Sequence, residues 1–85
     1  MNSIYFFNNP YDSASRAIQA RMATLNIPFL MMDRLDPSRS LNFPISFLPT
    51  IIIANTSGTE IARMEDSSQM TNSNVTNFWN QNKGG

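Results

Sequence analysis

Apolar positions along the chain fall into three short runs and two spaced stripes. The first run, Ile4-Tyr5-Phe6-Phe7, is apolar at every position and stops at Asn8-Asn9-Pro10. Such a run suits a strand covered on both faces, in the middle of a sheet. Phe29-Leu30-Met31-Met32, continuing toward Asp33, predicts a second strand. Leu48-Pro49-Thr50-Ile51-Ile52-Ile53-Ala54 predicts a third, with a proline at its entrance. Asn55-Thr56-Ser57-Gly58 is a turn, and residues 59–64 predict a fourth strand. A turn this short makes the last two strands an antiparallel hairpin.

The two stripes have helical spacing. After the first strand, Asn9 is a good N-cap, Pro10 suits the first helical position, and Asp12 falls at the third. Ala14, Ile18, Met22 and Leu25 then form an apolar face, with Arg16 and Gln19 off it. Asn26 and Pro28 supply the stop. Thr71 is placed to cap a final helix carrying Val75, Phe78 and Trp79 on one side and running to about residue 82. Between residues 35 and 47, Pro37 and Pro44 break any periodicity. A loop with at most one short helix, around residues 38–43, is expected there. Residues 64–70 read as a polar loop.

The resulting order is β-α-β-β-β-α. Its first three elements demand a parallel strand pair joined by a right-handed crossover. The hairpin adds antiparallel strands, giving a four-stranded mixed sheet with Ile4-Tyr5-Phe6-Phe7 central and helices on both faces. Tyr5, Phe6, Phe7, Phe29, Phe78 and Trp79 are expected core residues. Trp79, the largest, is expected to stay partly exposed in so small a protein. Met22 and Met31 are expected to fill gaps in the core.

Composition narrows the chemistry. The 85 residues allow one domain, spanning 1–85. A domain of this size buries only about 60–65% of its unfolded surface, so most apolar residues are needed as core. Six basic residues balance six acidic ones. They are scattered, which leaves no electrostatic footprint for nucleic acid. No apolar stretch is long enough to span a bilayer. The chain opens without a signal-peptide pattern, and a cytoplasmic protein is the default expectation. Two matches to the glycosylation sequon, at Asn55 and Asn74, are of the kind an Asn-rich chain produces by chance. The chain contains no cysteine and no histidine. Thiolate nucleophiles, imidazole bases, disulfides and soft zinc sites are therefore excluded.

Several of these residues agree in spacing with one family. Phe43-Pro44-Ile45-Ser46-Phe47-Leu48-Pro49-Thr50, running into Ile51-Ile52-Ile53, resembles the stretch before and within the buried third strand of thioredoxins and glutaredoxins. Ser57-Gly58-Thr59-Glu60-Ile61-Ala62-Arg63 resembles their glycine turn and last strand. Asp36-Pro37 falls where thioredoxins often carry Asn-Pro. Asn9-Pro10-Tyr11-Asp12 stands where glutaredoxins carry Cys-Pro-Tyr-Cys, and residues 71–82 are similar to the family's last helix. The resemblance covers nearly the whole chain. It implies the minimal thioredoxin-like α/β fold, with a cis Leu48-Pro49 bond.

The same resemblance defines the departure. Both active-site cysteines are replaced, by Asn9 and Asp12, so the thiolate of lowered pKa that the family's chemistry needs is absent. Asp12 as a catalytic carboxylate has no second carboxylate or base placed to work with it. Asn9, Pro10, Tyr11 and Asp12 are each favoured helix-start residues, so a plain capped helix start accounts for them. The resemblance also implies a groove that survives without the thiols. It would be bordered by Asn9, Pro10, Tyr11, Asp12, Leu48, Pro49 and Thr50, with the Leu48 backbone offered to an extended chain.

A redox-inactive binding or scaffolding module for a protein or peptide partner follows, with no cofactor, metal, nucleic-acid or membrane partner. The oligomeric state stays open. The alternative is a glutaredoxin-like protein that binds glutathione or another small thiol, or an enzyme of non-thiol chemistry. Against glutathione, Arg63-Met64-Glu65-Asp66 replaces the Gly-Gly-x-x-Asp stretch of glutaredoxins.

Overall fold

The computed structural model describes residues 1–9, 11–33 and 43–84. β1 (Ser3–Asn8), β2 (Phe29–Asp33), β3 (Thr50–Ala54) and β4 (Glu60–Met64) form one sheet in the order β2-β1-β3-β4. β1 pairs with β2 in parallel, with Ile4 beside Phe29. It pairs with β3 antiparallel, with Phe7 beside Thr50. β3 and β4 form the hairpin, with Ile51 beside Met64 and a bulge at Ile53/Ala54. The apolar runs of β1 and β3 thus occupy the two central strands, where both faces need covering, and the third run forms edge strand β2.

α1 (Ser13–Met22) connects β1 to β2, and α2 (Asn72–Asn82) follows β4 after a short 3₁₀ turn at Ser67–Gln69. One face of the sheet presents Ile4, Phe6, Ile51 and Ile53. These pack with Ile18 and Met22 of α1, Met70, and Val75 and Trp79 of α2. The opposite face presents Phe7, Met32, Ile52 and Ala54, covered by Phe43 with Ile45 and Leu48. Tyr5, Phe7 and Phe43 bring their rings together there, Tyr5 and Phe43 with centroids 5.3 Å apart.

The two described helices share a face, and the described cover of the other is the irregular segment 43–48. The cause is side-chain parity along the strands. Trp79 and Val75 meet the same alternate residues that Ile18 and Met22 meet. The expected short helix around residues 38–43 lies mostly outside the described residues. Trp79 is 5% exposed rather than partly open, because it shares one cluster with Met22 and Met70. Met22 is fully buried as expected, whereas Met31, on edge strand β2, is 42% exposed.

α1 also starts and stops later and earlier than its sequence suggests. Asn9 spends its side chain and carbonyl on a turn, accepting from the Tyr11 N–H at 3.1 Å and the Asp12 N–H at 3.1 Å. Asp12 becomes the N-cap in its place, with extended backbone. Its carboxylate accepts from the N–H groups of Ala14 and Ser15 and from the Ser15 hydroxyl at 3.2 Å. The buried stripe is Ser15, Ile18 and Met22; Ala14 is exposed. Beyond Met22 the bonds shorten to i→i−3, from Thr24 to Arg21 and from Leu25 to Met22, which ends the helix. α2 begins as the sequence predicts, with the Thr71 hydroxyl accepting from the Asn74 N–H at 3.2 Å. Among the described residues no helix is long and apolar enough to cross a membrane.

The hairpin turn depends on one glycine. The Asn55 side chain accepts from the N–H groups of Ser57 and Thr59, and the chain closes through Gly58 at φ +85°. A Cβ there would meet no atom within 4 Å, so any substitution cost is the left-handed backbone alone. Gly58→Ala should lower stability by about 1–2 kcal/mol, seen as an earlier urea midpoint with an unchanged slope. A loss below about 0.3 kcal/mol would mean that the turn relaxes to another conformation.

Candidate functional site

The sheet register brings the expected site residues to one end of the sheet. Because Phe7 lies beside Thr50, the residues leaving β1 and those entering β3 emerge together. Ile51 beside Met64 sends the chain after β4 to the same end. Asn9, Tyr11, Asp12, Leu48, Pro49 and Thr50 are therefore gathered there; Pro10 lies outside the described residues.

Their side chains are unequally available. Asn9 and Asp12 are engaged in the turn and cap described above. Pro49 is buried, and the Leu48–Pro49 peptide bond is cis. Thr50 is fully buried, and its hydroxyl donates to the Phe47 carbonyl at 2.5 Å. Leu48 packs its side chain against the Phe43 face. Tyr11 stands out at 80% exposed. Near β1, the buried Asn8 side chain donates to the Gln19 side chain and ties the strand end to α1.

The concave surface at this end is lined by Phe47, Leu48, Glu65, Asp66 and Ser67, with a volume of about 440 Å³. Of these, only Leu48 belongs to the expected site. Phe47 is 61% exposed although it is a large aromatic. Its sequence signal was its place in the motif before Pro49, but residue type alone favours burial. Glu65, Asp66 and Ser67 enter because the sheet places the end of β4 beside the start of β3.

The Leu48 backbone N–H and C=O find no hydrogen-bond partner among the described residues. The ladder between β1 and β3 ends at Thr50, and the proline that follows has no N–H to extend it.

Charge is organised around Arg63. Its guanidinium donates to both oxygens of Glu60, at 2.8 and 2.5 Å, to Glu65 at 3.2 Å, and to the Pro44 carbonyl at 2.9 Å. This clasp ties β4 to segment 43–48. The hydrogen bond from Arg63 holds the Glu60 carboxyl below its ordinary range, against a smaller opposing effect of burial. Asp66 accepts from the Ser68 hydroxyl at 2.6 Å and the Ser68 N–H at 2.9 Å, both through Oδ1. Those two bonds hold its carboxyl low as well. Among the described residues no group of acidic side chains could hold a metal ion.

No family model and no curated protein matches the sequence. Among solved structures, thioredoxin f2 of Chlamydomonas reinhardtii superposes with a TM-score of 0.73. The match covers 94% of this chain and 77% of that one, at 14% sequence identity. The fold is thioredoxin-like. At that identity the likeness is one of architecture, and this chain contains no cysteine.

Two predictions separate structural from chemical roles at this end. Asp12→Ala should cost about 1 kcal/mol of stability through the lost cap, whereas Asp12→Asn, which retains a capping oxygen, should stay close to the original. Urea unfolding distinguishes them, and equal losses would remove the cap from the account. Glu60→Gln should lower stability by at most about 1 kcal/mol at pH 7, because the pair is partly exposed. A carboxyl held low stabilises the fold above its unfolded value and loses that contribution as pH falls through the folded one. The difference between Glu60→Gln and the original should therefore be full at neutral pH, shrink as pH falls below the ordinary glutamate value of about 4.3, and vanish below the lowered folded value. A difference that persists in acid would place the effect in packing.

Proposed function

We propose that this chain is a redox-inactive binding module that holds an extended segment of a protein partner at the Phe47-Leu48-Pro49 edge. The single observation that carries this reading is the unpartnered Leu48 backbone. A donor and acceptor on one residue that no other described residue uses, ahead of a buried proline, are what an added strand requires. Two exposed aromatics, Tyr11 and Phe47, stand at the same end and supply rigid apolar surface with little side-chain entropy to lose. The absence of cysteine leaves thiol–disulfide exchange without a nucleophile. Asp12 is occupied as the cap of α1, and its hydrogen bonds among the described residues are those of the cap. Glu65 and Asp66 along the groove weigh against glutathione, a ligand of net negative charge.

A partner captured from host extract and identified supplies the test. Tyr11→Ala and Phe47→Ala should each weaken its binding by about 1–2 kcal/mol, with unfolding midpoints unchanged because both side chains are exposed. In an NMR titration the Leu48 amide should be among the strongly shifted signals. Unchanged affinity in both variants, together with a silent Leu48 amide, would move the binding surface away from this end of the sheet.

A further inference from the structure

The groove has a chemical preference that its fold does not impose. Its floor is apolar, made by the open ring of Phe47 and by Leu48. Its opposite wall carries Glu65 and Asp66. The only described cation in contact with this wall is Arg63, and it is already engaged by Glu60, Glu65 and the Pro44 carbonyl. One guanidinium thus stands against three carboxylates, and the surplus charge at the groove is negative. Asp66 is the carboxylate best placed to use it. Both of its hydrogen bonds, from the Ser68 hydroxyl and N–H, fall on Oδ1. They orient the group and leave Oδ2 without a partner among the described residues.

Resting on the binding reading above, we infer that the groove selects an extended segment carrying a lysine or arginine, whose stem lies over Phe47 and whose charge meets Asp66. Three features act on the same side chain. Leu48 pairs with the segment's backbone and sets its register. The long aliphatic stem of a basic residue covers exposed aromatic surface while its charged head stays near water. A cation beside an aromatic ring and within reach of a carboxylate is favoured by both. An acidic segment would instead bring like charges together, which disfavours it.

The test uses a phage-displayed library of random heptapeptides selected on the immobilised full chain. Synthetic copies of the enriched peptides are then measured by fluorescence anisotropy. The expected result is a lysine or arginine at one aligned position, with binding that Phe47→Ala weakens. Asp66→Asn should weaken those peptides about fivefold, the scale of a partly exposed charge pair, and added salt should reduce the gap between the two proteins. Asn keeps the cap on the 3₁₀ turn, and matching unfolding midpoints verify it. Peptides that depend on Phe47 but show no basic position, or that bind Asp66→Asn equally well, would overturn the preference and leave the binding reading standing. An absence of any peptide sensitive to Phe47→Ala would overturn both.

Discussion

The structure depends on one strand being buried on both sides. β1 takes β2 on one edge and β3 on the other. It sends Ile4 and Phe6 into one core cluster and Phe7 into the second. A one-residue slip of β1 would exchange these sets and leave both clusters without their central side chains. Everything else is placed relative to it. The parallel pairing to β2 requires a crossover, which α1 supplies. The antiparallel pairing to β3 brings the segment before Pro49 beside the turn after β1. The sheet end where the candidate site lies is thus a consequence of the register of one strand.

The described residues cover the two faces of the sheet with different elements. On one, a pair of short helices contributes Ile18, Met22, Val75 and Trp79. On the other, the described cover is an irregular segment that contributes Phe43, Ile45 and Leu48. An irregular cover must have its backbone held by something other than a helix or ladder. Arg63 does part of this by binding the Pro44 carbonyl from the edge strand. That contact joins the charge cluster of β4 to the segment that ends at Leu48. The electrostatics of the groove and the placement of its floor therefore share a residue.

At the turn between β1 and α1, Asn9 and Asp12 have structural uses. Asn9 closes a turn and Asp12 caps α1. Polar groups committed in this way have little left for a substrate. What is left uncommitted among the described residues at this end is the Leu48 backbone and the exposed aromatic surface of Tyr11 and Phe47. A site made of backbone and ring surface suits recognition of a chain more than transformation of a small molecule.

The sequence by itself determined the strands, the order of elements, the hairpin and the capped start of α2. Each of these is written locally, in an unbroken apolar run, a turn tetrapeptide or a capping hydroxyl. It also excluded thiol chemistry, because an absent residue type needs no coordinates to be absent. The tertiary structure alone decided the rest. Asn9 and Asp12 are both good helix caps, and the choice between them was made by the turn that Asn9 closes. Trp79 has the bulk of a residue that stays partly open, yet it is enclosed because α1 and α2 share a face. Phe43 and Phe47 are the same residue type four positions apart. One is buried against Tyr5 and Phe7 and the other is left in solvent. Local pattern cannot distinguish them, because burial depends on where the chain crosses the sheet and not on what the side chain is.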